Sequence, residues 1–294
     1  MTAPPDPAGR PRQTPILMYH SVSTRAGESF RRFVVDPRLF ADHMCHLVEA
    51  GYQTRTVTAV TGGPRAERPV VLTFDDGFAD FHSDVLPVLD AHGLTATLYV
   101  TTGYIGGTSA WMAGEGEGDR RMLSWTQLAE IAASGVEIGA HSITHPELDL
   151  LPPRRARDEV TAPRKTLEDR LQVPVRSFAY PFGYYDARVR AAVAQAGYLS
   201  ACAVDELTVA GTDDVLLLPR LTVAGGTTLA GLERLLERRS GVSDWGVARA
   251  KRRVWQTWRR ATRSGRQPAG AVRGHHAGAG TRPREAAGEG VDAC

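Results

Sequence analysis

The sequence predicts an α/β fold built on a parallel sheet or barrel. Short apolar runs alternate with helix-patterned segments from Pro15 to about Ser240, and several of those runs are continuously apolar. A strand covered on both faces needs no polar side, whereas a half-solvated strand alternates. With 294 residues, 42% of them apolar, the chain can fill one barrel, a fold of roughly 200–250 residues.

The expected strands are Ile16–Tyr19, Val70–Phe74, Thr95–Val100, Val136–Ala140, Val175–Tyr180 and Tyr198–Val204, with a last one near Leu216–Val223. Between them lie helix patterns. The helix from Pro37 to Ala50 has Asp36 as its N-cap, Pro37 in the first turn and Gly51 as its stop. Its apolar positions Leu39, Phe40, Met44, Leu47 and Val48 follow helical spacing. Further helices are expected over Phe81–His92, Ser124–Ser134, Arg154–Leu171 and Asp186–Ala196. Strand–helix alternation of this kind points to parallel pairing. Residues 103–121 are glycine-rich and read as a long loop, either functional or a flexible insertion.

The ends differ in character. Residues 1–14 are proline-rich, lack an apolar stretch and read as a disordered leader, and 264–294 read as a disordered tail. Residues 241–263 contain a basic amphipathic pattern, clearest over 244–262. That pattern fits peripheral contact with an anionic membrane, or equally a helix packed on the barrel with its basic side in water. The net charge of +2 names no partner, and nucleic acid is not expected. Cys45, Cys202 and Cys294 form no CxxC pair, so neither a disulfide framework nor a thiolate metal site is expected. No apolar run reaches the ~18 residues of a membrane span. A cytoplasmic location follows, extending to the inner membrane face if 244–262 binds there.

Three motifs stand at strand ends. Thr73-Phe74-Asp75-Asp76-Gly77 sets two adjacent carboxylates on a turn, pointing in different directions, so that one can bind a metal while the other faces the reaction centre. His141 and His145, in HSITH, have the four-residue spacing that lets two imidazoles share one divalent ion. Two histidines and one aspartate leave a position open for water, the mark of a catalytic zinc site. Phe178–Gly183 (FAYPFG) places Tyr180, Pro181 and Phe182 near the same mouth as substrate contacts, or as core packing.

In this order TFDDG, HSxxH and YPFG resemble the polysaccharide deacetylases of carbohydrate esterase family 4, the nodulation-protein-B homology domain. The opening PILMYH and the pattern of Phe40, Leu47, Ala50, Gly51 and Tyr52 resemble the poly-N-acetylglucosamine deacetylase branch. The likeness spans roughly residues 15–240. It implies a single catalytic domain, a distorted (β/α)7-type barrel, with a divalent metal, zinc, as cofactor. It further implies Asp76, His141 and His145 as ligands, Asp75 as general base, and the Phe182 N–H as a donor to the oxyanion. The expected reaction removes an N-acetyl or N-formyl group from an amino sugar of a polysaccharide or its lipid-linked precursor.

Two departures from the pattern shape the expectations. Many relatives carry an arginine that orients the base two residues before the proline, where this chain has Ala179-Tyr180-Pro181; Arg220 is the expected source of that charge from another position, within the substrate site. The late Leu-x-His motif that supplies a general acid is absent, and His20 is the best candidate for the acid or for a site-shaping role, the alternative being a packed core histidine. The alternatives are a carbohydrate-binding barrel with weak or no turnover and a hydrolase of a non-sugar amide.

Overall fold

The computed structural model describes residues 13–62, 67–204, 207–208 and 214–238, with residues 244 and 247. The expected leader (to residue 12), the basic helix (apart from 244 and 247) and the tail therefore lie outside the described residues. Among the described residues no helix is long and apolar enough to cross a membrane.

In chain order the elements are β1 (Ile16–Tyr19), β2 (Ser21–Val22), β3 (Val34–Val35), α1 (Pro37–Glu49), β4 (Gln53–Arg55), α2 (Val57–Gly62), β5 (Pro69–Phe74), α3 (Leu86–His92), β6 (Thr97–Val100), α4 (Trp125–Ala133), β7 (Glu137–Ala140), α5 (Pro153–Leu171), β8 (Ser177–Ala179), α6 (Ala187–Gln195), β9 (Ser200–Cys202), β10 (Leu221–Thr222) and α7 (Leu229–Leu236). The main sheet is parallel in the order β10-β1-β5-β6-β7-β8-β9, with β4 beside the first half of β5. A parallel bridge between Cys202 and Leu218, just before β10, carries β9 round to β1. The seven strands on this path thus curl into the distorted (β/α)7 barrel.

Local chemistry sets the element ends. Asp36 caps α1 by accepting the Arg38 N–H at 2.9 Å, and Ser124 with Gln127 forms a reciprocal capping box on α4. Gly93 ends α3 in the left-handed region. The helix expected over Phe81–His92 begins instead as a wider π turn, Phe81–Val85, before α3. Pro87 lacks the N–H that a continuous ladder would need there. Likewise the strand expected near Leu216–Val223 shrinks to two residues. Pro219 cannot donate to a ladder, and the chain changes partner there, from β9 at Leu218 to β1 at Leu221. The short β2–β3 pair, β4, α2 and α7 were not anticipated; β4 is a polar run with no apolar signal.

Alternation along the strands divides the core. Leu17, Leu72, Leu98, Ile138, Phe178 and Tyr180 belong to the layer packed against the helices. Ile16, Val71, Tyr99, Ala179, Cys202 and Leu218 form a separate cluster inside the barrel. Tyr99 plugs this interior, its hydroxyl 2.6 Å from Ser177 Oγ. Gly139 makes the plug possible, since a Cβ there would lie 2.5 Å from the Tyr99 ring. Residues two further along the inward rows reach the mouth of the barrel, and those are the residues of the site.

Candidate active site

Val71, Thr73 and Asp75 share the inward parity of β5 and its exit. Gly139 and His141 share that of β7, as Leu218 and Arg220 share that of the closing segment. Strand geometry therefore brings Asp75, His141 and Arg220 to one place from three distant stretches. Asp76 has the opposite parity, but its left-handed backbone (φ 75°) and the following Gly77 (φ 87°) turn it back toward the histidines. His145 arrives through a loop in which it and Ser142 are also left-handed, at φ 55° and 66°.

Asp75 and Arg220 form a bidentate pair, Nη1 donating to Oδ1 at 2.6 Å and Nη2 to Oδ2 at 2.7 Å. Arg220 is fully buried; its Nε also donates to Ala203 O at 3.2 Å, and its guanidinium lies over the Tyr99 ring, 5.6 Å from the centroid. Burial pushes the Asp75 carboxyl up, but the charge and hydrogen bonds of Arg220, with His141, hold it well below the usual carboxylate range.

Asp76 Oδ1 lies 3.5 Å from His141 Nε2 and 3.3 Å from His145 Nε2, and those two nitrogens are 3.2 Å apart. Among the described residues these three side chains form a group whose ligand atoms all fall within 4.8 Å of one another. His141 Nδ1 donates to Ala179 O at 2.8 Å, which leaves its Nε2 lone pair facing the cluster. Burial, then the proximity of Asp75, raises the Asp76 carboxyl well above its ordinary range. Burial lowers both imidazoles, His145 further because His141 stands beside it. Asp76 Oδ1 is buried without a hydrogen-bond donor. A buried acceptor facing two imidazole nitrogens is a donor set that a divalent cation satisfies, so the residues present fit the metal.

His20 stands half-buried at the end of β1, its ring 4.6 Å from that of Phe33. Burial, which outweighs the charge of Asp75, pushes its pKa down to about 4, so it rests as neutral imidazole. The FAYPFG segment splits. Tyr180 has the outward parity of β8; it is buried among Phe178 and Tyr185 and donates to Leu216 O at 3.0 Å. Pro181 is buried as well. Of the two roles open to this segment, Tyr180 and Pro181 take the core one rather than that of substrate contacts. Arg220 stands against Asp75, where the replacement for the missing arginine is expected, and is buried there rather than open to substrate. Phe182 alone is 49% exposed, left-handed at φ 58°, with its ring 4.5 Å from that of His145.

Two contributions went unread in the sequence. The glycine-rich segment 103–121 is organised by two 3₁₀ turns, Thr102–Tyr104 and Ala110–Glu115, and by the antiparallel bridges Thr108–Arg121 and Phe78–Met122. It delivers Trp111 to 5.5 Å from the His145 ring, the same imidazole that Phe182 contacts. Glu159 of α5 is the second; it holds the loop that carries His145.

Comparisons with known proteins bear on the family and the fold. The family model described as polysaccharide deacetylase matches residues 62–201. YxkH of Bacillus subtilis (strain 168), placed by its name among polysaccharide deacetylases, is 30% identical over 222 residues, 74% of each chain. The chitooligosaccharide deacetylase of Bradyrhizobium sp. (strain ANU 289) is 36% identical over 138 residues, 46% of this chain and 56% of its own. Among solved structures, the Streptococcus pyogenes deacetylase PplD in complex with acetate has the same fold, with a TM-score of 0.66, 24% identity and coverage of 77% of this chain and 99% of its own. The chain belongs to the polysaccharide deacetylase family, carbohydrate esterase family 4, and is a carbohydrate deacetylase.

Proposed function

We propose that the protein removes N-acetyl groups from the amino sugars of a polysaccharide, using a divalent metal, zinc, held by Asp76, His141 and His145. One observation carries this reading. Three ligand atoms converge within 4.8 Å, and an arginine-fixed carboxylate adjoins them, Asp75 Oδ2 being 4.0 Å from His141 Nε2. When bound, the metal supplies Lewis-acid polarisation of the amide carbonyl and a lowered pKa for water.

The chain's own residues do the rest. Asp75, kept ionised and held in one orientation by Arg220, accepts the proton of the attacking water. A carboxylate of such low resting proton affinity then gives that proton up readily to the departing amine, a far stronger base. His20, neutral at rest and within the field of Asp75, is the group that would pass this proton from Asp75 to the amine nitrogen. The Phe182 N–H, on a backbone turned left-handed, donates to the developing oxyanion. Trp111 and Phe182, both in ring contact with His145, supply apolar walls for the acyl group and sugar ring. Arg220 also answers one of the two departures that favoured a barrel without turnover, because a guanidinium does reach Asp75.

The test is acetate release from N-acetylated glucosamine oligomers, with and without added zinc, beside Asp75→Asn. Zinc-dependent release that vanishes in Asp75→Asn supports the reading. Zinc binding without acetate release from any such oligomer would sink it in favour of a formylated, lipid-linked or non-sugar substrate, or of binding alone.

A further inference from the structure

The loop from Ser142 to His145 is an improbable piece of backbone to leave unsupported. Two of its residues, Ser142 and His145, sit in the left-handed region without being glycine, a state that persists only where surrounding contacts over-determine it. Those contacts come from two sides. From the exit of β6, the Thr102 N–H donates to Ser142 O at 3.1 Å and the Gly103 N–H to Ile143 O at 2.8 Å. A Cβ on Gly103 would lie 2.6 Å from that carbonyl, so the approach requires glycine. Within the loop, Ser142 Oγ accepts the His145 N–H at 2.9 Å.

The other side is a single side chain. Glu159 lies on α5 and is only 3% exposed. Its Oε2 accepts the N–H groups of Ile143 at 2.8 Å and Thr144 at 2.9 Å, and its Oε1 accepts the Thr144 hydroxyl at 2.7 Å. Among the described residues the cation that pairs with it, Arg155, is 3.9 Å away with a largely exposed side chain, so the carboxylate is matched mainly to these loop donors. A buried carboxylate whose oxygens meet two successive amides and the hydroxyl between two metal ligands is placed to fix the second of them.

We propose that Glu159 is a positioning residue of the metal centre, setting the place of His145 relative to His141 and Asp76 by clamping the Ile143 and Thr144 amides to α5. The proposal rests on the metal-dependent reading above. It predicts a graded series. Glu159→Gln keeps an acceptor oxygen for both amides, and the Thr144 hydroxyl can rotate to accept instead of donate. Glu159→Ala removes the clamp, and Glu159→Asp keeps the charge but falls short by one methylene.

The experiment measures zinc affinity of the chelator-stripped full-length protein by competition with a chromophoric chelator, with circular dichroism as the check on folding. Loss of an outer-shell partner of this kind weakens metal binding by about 10–100-fold, and that is the effect expected of Glu159→Ala and Glu159→Asp. Glu159→Gln is expected to stay near the wild type. At saturating zinc the weakened variants should recover most of their kcat, because the clamp acts on occupancy and not on the base. If Glu159→Ala does not fold, Glu159→Asp against Glu159→Gln decides. Wild-type protein and His145→Ala run alongside. Wild type that binds no zinc overturns the metal reading. Wild type that binds, with His145→Ala that does not and folded Glu159 variants that all bind as wild type, overturns the clamp alone.

Discussion

Arg220 meets Asp75 fork to fork, both guanidinium Nη atoms on both carboxylate oxygens at 2.6 and 2.7 Å, across 145 residues of sequence. The pair is buried, so removing one partner leaves an uncompensated charge. Arg220→Ala is expected to cost about 3–5 kcal/mol of stability, read as a shift in the denaturant midpoint. Arg220→Lys keeps the charge but not the fork. A base free to swing out of line loses about a hundredfold in rate, so a folded Arg220→Lys with wild-type kcat would refute the orienting role.

Tyr180 and Phe182 are two residues apart in sequence and opposite in expected effect. Tyr180→Phe removes the hydroxyl that donates to Leu216 O. It should cost about 1 kcal/mol in unfolding free energy and leave KM unchanged. Phe182→Ala should leave stability nearly unchanged and raise KM about tenfold, equivalent to ~1.4 kcal/mol. Steady-state kinetics beside urea titrations separate the two, and a KM change in Tyr180→Phe would contradict the core assignment.

His20 makes stability depend on acidity in a defined window. Its unfolded pKa is about 6.5, and burial lowers the folded value to about 4. Above pH 6.5 the ring is neutral in both states and contributes no dependence. As pH falls from 6.5 to 4 the unfolded chain takes up the proton first, so the folded state loses up to about 3 kcal/mol. His20→Gln cannot show this loss. Unfolding free energies of metal-free wild type and His20→Gln at pH 7, 5.5 and 4 should therefore converge or cross in that direction. A constant difference across the three values would mean that the folded imidazole titrates normally.

Zinc should stabilise the chelator-stripped protein, because the donor set exists only in the folded state. At a hundredfold excess over Kd the gain is about 2.7 kcal/mol, visible as a rise in Tm. Asp76→Asn and His141→Ala should abolish the rise. An equal rise in those variants would place the ion elsewhere.

Much of this was legible in the residues because the barrel is written in continuous apolar runs, each ending at a motif. β1 matches its expected span, and β5, β6 and β7 end where expected, at Phe74, Val100 and Ala140. Tyr180 stayed open between substrate contact and core packing although its position was readable: it lies two residues beyond Phe178 and shares that outward face. The Leu229, Leu232, Leu235 and Leu236 spacing of α7 behind its Thr228 cap was likewise readable and went unread. Glu159 was not legible, because it works on backbone amides, which every residue carries, and so leaves no pattern of residue types. Trp111 was hidden in a glycine-rich segment closed by its own bridge, Thr108–Arg121, and tied at Met122 to Phe78 beyond the exit of β5.

The change of partner at Pro219 has a consequence for how the enzyme comes to work at all. Every proposed metal ligand lies between Asp76 and His145, in the first half of the chain, whereas the arginine that fixes the base sits at the seam where β9 hands over to β1. A chain truncated before this seam keeps all three proposed ligands yet lacks the charge that aims Asp75. On the proposed mechanism, competence for hydrolysis is thereby tied to completion of the ring, since the charge that aims Asp75 arrives only with the closing segment.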